Sequence, residues 1–462
     1  MRARQPAALA PSAYAPPLLI ALLTAFLLAG CAVAPTQGPE LSSVRFAPQT
    51  LPKGIARSNR DLAQDFLDLT FALESGEPLP ALLRYETPVR VYLRSPSLAS
   101  YRPDLEALLH RLRVEAGIDI AETRDPEQAQ IFIEAVPASR IARVFPTAAC
   151  FIVPGERDWQ GFQSRRAETH PRWSEQKSLG EAAIFLPLDT TPQDVRDCLA
   201  EEITQALGPA NDLYRLPDSI WNDDNFHGAP TAFDMTILRA LYQPELRSGM
   251  TRKEAAAVLP RVLDKVNPKG RRLPRQPRQP ESRVFAEAIE AAQAHDVGRG
   301  ERLAAARRAV QSAEEMRPID HRLGVALLTL GRMNLRGDPA LAAANFTEAY
   351  DLFQTKLGPH DIRTAQAGVH MAALASGLGQ PEAAIALADK HVPDAIAGQN
   401  AVLVASLLAI KAEALAQLDR LPEAEAARLD SLRWARYGFG DADGSLGREQ
   451  AQLTALLASQ KQ

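Results

Sequence analysis

The chain has 462 residues, enough for two or three domains. Its 46% hydrophobic and 23% charged content is that of globular protein, and a formal net charge of -4 argues against a nucleic-acid binder, which would carry basic surface. No G-x-x-x-x-G-K-[ST] loop occurs, which argues against ATP use; no G-x-S-x-G elbow is present either, and no motif calls for a cofactor.

Arg2 and Arg4 precede an apolar run from Pro17 to Ala29 that is too short to span a bilayer comfortably. It ends Leu28-Ala29-Gly30-Cys31, which resembles a bacterial lipoprotein signal. The resemblance implies loss of residues 1–30 and lipidation of Cys31. Several acyl chains on one residue anchor stably. The expected location is therefore the cell envelope, facing the periplasm, with Ala32 favouring the outer over the inner membrane. Residues 31–58 read as the lipidated Cys and a tether. The other two cysteines, Cys150 and Cys198, are disulfide candidates in an oxidising compartment. Their bond would close a loop of roughly 48 residues and restrain the unfolded chain by about 4 kcal/mol. Two buried free thiols are the alternative.

Residues 59–266 read as a mixed α+β domain. Leu62, Phe66, Leu69, Phe71 and Leu73 recur at helical spacing over Asn59 to Glu74. VRVYLR (Val89 to Arg94) alternates as a strand, and a helix follows from Tyr101 to Ala116. Three more strands are expected at Ala129 to Val136, Ala149 to Pro154 and Glu181 to Leu188. Residues 156–179, with Trp159, Phe162, Arg165, Arg166 and Trp173, read as a long polar surface excursion. The order β-α-β-β-β then helix suggests a sheet with a central helix packed on it.

That central helix opens at Thr190-Thr191-Pro192 and ends at Leu207-Gly208-Pro209. Its second half reads E-E-x-x-Q-x-x-G-x-x-N-D: Glu201, Glu202, Gln205, Gly208, Asn211 and Asp212. Glu201 and Gln205, four apart, share a face. Beyond lie LPDSIWNDDNFHG (Leu216 to Gly228) and a last helix, TAFDMTILRALYQPELRSGM, capped by Thr231.

The pattern resembles the helix and turn of metzincin zinc proteases, H-E-x-x-H-x-x-G-x-x-H, with each spacing kept and each histidine replaced. The metzincin methionine turn is similar to Ser219-Ile220-Trp221-Asn222, with Trp221 in place of the methionine, and the closing helix to Asp234 through Leu241-Tyr242. The stretch from about Asn59 to Val266 is also similar to the bacterial domain of unknown function 2927, through PVRVYLR, CLAEEITQALGPAND, SIWND and LYQPELRSGM. The metzincin resemblance implies a degenerate metal site at Glu201, Gln205, Asn211 and Asp212, with no metal bound. Glu202 takes the general-base position without activated water to act on. Neutral imidazole or thiolate donors are what zinc catalysis requires, and the domain's His110, His170 and His227 stand at no helical ligand spacing. Two other readings stay open: an atypical peptidase or hydrolase using Glu201 and Glu202, with or without an oxygen-bound metal, and a purely structural acidic helix in an unrelated fold.

Residues 267–283, NPKGRRLPRQPRQPESR, hold four Pro and six Lys or Arg and read as a stiff, solvated basic linker. Contact with anionic lipid or glycan surfaces is its functional alternative. From 284 to 462 the chain is almost all helical, in four helix pairs. Pro339, Pro381 and Pro422 recur 42 and 41 residues apart, each at the start of a second helix. The array resembles tetratricopeptide repeats of the longer, kinesin-light-chain type, with Lys356 to Ala365 similar to its inter-repeat loop and a capping helix at Arg448 to Ala458. The expected fold class is α+β, a metzincin-like mixed sheet with a central helix, followed by an all-α tetratricopeptide-like solenoid. The expected function is that of an envelope lipoprotein that binds or scaffolds proteins or peptides through the repeats, is anchored to the membrane at Cys31, and takes no nucleic acid.

Overall fold

The computed structural model describes residues 43–47, 54–165, 173–222, 224, 226–277, 280–294 and 297–440. The expected signal segment, Cys31, much of the expected tether, Arg166, His170 and the capping helix expected at 448–458 lie outside them. No helix among the described residues is long and apolar enough to cross a membrane.

Helix α1 (Asn59–Thr70) is capped by Ser58, whose hydroxyl accepts from the Asp61 amide. It buries Leu62, Phe66 and Leu69. It stops four residues short of Glu74 because the next stretch folds into a tight turn, with Leu73 N donating to Glu77 O at 2.9 Å. The sheet comprises β1 (Val89–Leu93), β2 (Ile120–Glu122), β3 (Ile131–Val136), β4 (Phe151–Pro154) and β5 (Ala182–Pro187), in the order β2-β1-β3-β5-β4. All pairs are parallel except β4 with β5. The short strand β2 has no sequence counterpart among the expected elements; three residues are too few to show an alternation. β5 is buried at every position, so it is a continuous apolar run rather than an alternating one.

One face of the sheet carries α1, α2 (Arg102–Arg111), which runs into a single π turn at Leu112–Ala116, then α5 (Pro192–Ala206) and α6 (Ala232–Leu241). The other face is covered by α3 (Ala138–Ala142) and α4 (Trp159–Arg165). The excursion expected to be a polar surface loop thus supplies core: Trp159 and Phe162 are buried, with ring centroids 5.0 and 5.5 Å from Phe185. Helix α6 ends at Leu241, well before Met250, because Pro244 cannot continue it. A further helix, α7 (Arg252–Val266), packs on α1 and α6.

The second half is a helical solenoid of α8 (Arg283–Gln293), α9 (Arg299–Glu315), α10 (His321–Asn334), α11 (Pro339–Lys356), α12 (Ile362–Gly377), α13 (Pro381–Ala397), α14 (Ala401–Gln417) and α15 (Leu421–Phe439). Each packs on its sequence neighbours. Close packing depends on small residues: a Cβ on Gly324 or Gly331 would sit 2.6 Å from the ring of Phe353 or Phe346.

The linker is exposed over residues 271–277, as its composition suggests, yet it is tied down at its start and in its middle. Asn267 is fully buried, accepting from Ile55 N at 3.0 Å and donating to Asn59 at 3.1 Å. Arg275 and the Gln276 amide both reach Asp61, at 3.2 and 3.0 Å. Arg275 thus docks on α1 and Arg271 meets Asp264 of α7 at 3.4 Å, so the linker works as a strap. The solenoid consequently lies against the sheet domain instead of standing off it. Arg363 of α12 is fully buried on Asp224 at 2.6 Å, His321 Nε2 meets Tyr214 O at 2.7 Å, and Tyr437 donates to Asp104 at 2.9 Å. Gln193 at the start of α5 accepts from Ala401 N at 3.0 Å.

Candidate functional site

Helix α5 is held at its start by a capping box, Thr191 with Asp194, and by Pro192 in the first turn. Val195, Leu199, Ile203 and Ala206 bury one face in the main core. Cys198 bonds to Cys150 just before β4, S–S 2.04 Å with Cα atoms 6.1 Å apart, tying the helix to the sheet edge. The helix ends where Gly208 adopts φ +138°. A Cβ there would lie 2.6 Å from Leu83 O and 2.7 Å from Leu241, so the turn requires glycine. Tyr242 donates to Leu207 O at 3.1 Å and closes the helix end from the other side.

The turn returns the chain beside the helix. Gln205 Nε2 donates to Asp212 Oδ2 at 2.6 Å. Asn211 is buried and donates to Asp68 O on α1 at 2.8 Å. Glu201 is half-buried. Three of the four positions in the metal-site pattern are therefore engaged with one another or with α1. Among the described residues, no group of three or more His, Cys, Asp or Glu comes together in a form that could hold a metal ion. His110 is exposed on α2, and His227 is turned to Pro217 O at 3.0 Å, its pKa lowered by burial and by Arg363.

Beneath the helix lies the Ser219-Ile220-Trp221-Asn222 turn. Trp221 is fully buried and its indole donates to Thr204 Oγ1 on α5 at 3.0 Å. Asp234, in the first turn of α6, clamps the turn: it accepts from Ser219 Oγ at 2.6 Å, Ile220 N at 3.1 Å and Thr231 N at 2.7 Å. Burial pushes its carboxyl up to about 6 despite these donors. Asn222 donates to Leu216 O and fixes the entry to the turn.

Glu202 is buried on α5. It is 5% exposed, and burial, then Asp212 and Glu74, raise its pKa well above the carboxylate range. Asp212 and Glu74 line a cleft of about 510 Å³ bounded by α1, the 211–215 segment, the strap and α8. Four arginines also line it, Arg215, Arg252, Arg275 and Arg283. Arg215 is held by Asp65 at 2.6 Å and Asp68 at 2.8 Å, and Arg252 by Asp68 at 2.7 Å.

The sequence pattern singled out Glu202, Gln205, Asn211, Asp212, Ser219, Trp221 and Asn222, and did not single out Thr204, Asp68, Glu74, Arg215 or Glu290. Thr204 carries a usable signal, being three residues from Glu201 and hence near the same helix face. The others come from elements far apart in the chain, and no spacing announces them.

No curated protein and no solved structure matches the chain. Residues 59–261 match the family model described as protein of unknown function (DUF2927).

Proposed function

We propose that the protein is a lipid-anchored factor of the bacterial envelope that binds or scaffolds proteins or peptides without cleaving them. In this reading residues 59–266 are a degenerate metzincin-like domain and the solenoid is tetratricopeptide-like. One observation carries it. The side chains at the positions of a zinc helix and its turn are oxygen and amide groups locked together, Gln205 to Asp212 at 2.6 Å and Asn211 to Asp68 O at 2.8 Å. A Gln amide is a poor zinc donor, and one already donating to a carboxylate supports helix geometry rather than catalysis. The general-base position, Glu202, is a buried acid that holds its proton above the usual range.

The test is metal content and peptide turnover of the purified full chain. The expected result is no stoichiometric transition metal and no hydrolysis of a peptide library. Turnover that disappears in Glu202→Gln would establish the hydrolase reading instead. For the anchor, Cys31→Ser should release the chain from the membrane fraction; an unchanged distribution would refute it.

A further inference from the structure

The joint between the sheet domain and the solenoid is built around one arginine and two histidines. Arg363, near the start of α12, reaches into the 214–228 segment, where Asp224 accepts from its Nη2 at 2.6 Å and Pro217 O accepts from its Nη1. His227 stands beside it, with Nε2 3.0 Å from Pro217 O and 3.4 Å from Arg363 Nη1. His321, the first residue of α10, is buried against the same segment, with Nε2 2.7 Å from Tyr214 O. A carbonyl oxygen only accepts, so in each ring Nε2 carries the proton of the neutral imidazole and donates it. A second proton goes to Nδ1 and turns the ring into a cation.

Among the described residues, the charged groups facing the two rings are Asp218 and Asp224 from the sheet-domain segment, Asp320 before α10, and Asp361 and Arg363 at the start of α12. The carboxylates are already matched by arginines. Asp224 and Asp361 face Arg363 at 2.6 and 3.6 Å, Asp320 is held by Arg322 at 2.7 Å, and Asp218 by Arg57 at 2.6 Å. A proton on either ring therefore adds positive charge beside a buried guanidinium, with no free carboxylate to receive it. Burial and then Arg363 hold the His227 imidazole below its ordinary range, and the same two causes bring His321 down to about 4.

We propose that this joint is an acid-sensitive latch, closed while His227 and His321 are neutral and opened when they take a proton, so that acidification releases the α10–α12 end of the solenoid from the 214–228 segment. The folded rings bind a proton less tightly than free ones. Their contribution to closure is therefore fully present above about pH 6.5 and is lost as pH falls towards about 4. The other ties across the joint, Gln193 to Ala401 N and Tyr437 to Asp104, involve no histidine. The latch is independent of whether the protein cleaves peptides.

The experiment is amide hydrogen exchange of the full chain from about pH 8 down to about pH 4, corrected for the intrinsic pH dependence of exchange, with X-ray scattering on the same samples. Protection of residues 214–228 and of the first turns of α10 and α12 should fall at least about tenfold on acidification, while β1, β3 and β5 stay protected and the radius of gyration grows. The midpoint of that loss should lie between about pH 6.5 and about pH 4. His227→Gln with His321→Gln keeps an N–H donor at each place and cannot gain a proton, so it should stay closed across the same range. Unchanged protection of the wild type, or opening of the double variant in step with it, would overturn the proposal. The wild type alone supplies a readout that needs no variant: opening that sets in above about pH 7, or only below about pH 4 where carboxylates titrate, would assign the change to other groups and equally overturn it.

Discussion

Trp221 shows what one side chain contributes. It fills the space under α5 and its only polar atom is matched by Thr204, so it packs as a core residue with one hydrogen bond. Trp221→Ala should lower stability by about 3–5 kcal/mol, from lost burial plus the cavity left behind. Urea unfolding checks this, and a loss under 1 kcal/mol would mean that the turn collapses onto the helix. Asp197 is a second informative residue. Burial pushes its carboxyl up to about 7, against the Gln193 amide that donates to it at 2.7 Å. Its folded pKa lies above the unfolded value of about 3.9, so the native state binds the proton more tightly. Its contribution is fully present below about pH 4 and is lost as pH rises to about 7. Asp197→Asn should therefore flatten the fall in unfolding midpoint across that window. Parallel slopes for the two proteins would show that the group does not titrate there.

At the scale of elements, α5 was the most legible part of the chain. Thr191, Pro192 and Gly208 are local signals, and the helix starts and stops where they direct. The ends of α1 and α6 were less legible, since apolar residues continued past the turn at Leu73 and past Pro244. Apolar content marks burial, and residues 71–79 are buried in part without being helical. The disulfide joins β4 to α5 across 48 residues. Cys198→Ser with Cys150→Ser should cost about 2–5 kcal/mol, read as a lower urea midpoint that matches the wild type under reducing conditions. A variant as stable as the oxidised protein would show that the unfolded chain is not restrained by the bond.

For the whole molecule, the strap and the solenoid edge decide the arrangement. Arg363 and Asp224 are a buried ion pair with 0% and 2% of their side chains exposed. Arg363→Ala strands a buried carboxylate and should cost about 3–5 kcal/mol. Replacing both, Arg363→Met with Asp224→Leu, should recover most of that loss. Denaturation of the single variant should split into two transitions as the halves uncouple; a single unshifted transition would place the coupling elsewhere, on the contacts of Gln193 and Tyr437.

Local rules are written in the chain itself. Alternation set β1 and apolar runs set the longer β3 and β5, helical spacing and caps set the helices, and the recurring prolines set the period of the solenoid, because each depends on residues within a few positions of one another. The same locality made the metal-site pattern and its missing histidines visible. The tertiary structure alone decided that Arg215 would meet Asp65, 150 residues away, and that a basic linker would bind α1. It likewise decided that α8 would close a cleft opposite Asp212. Those pairings depend on which surfaces the packed core leaves adjacent, and charge along a chain does not specify its partner across space.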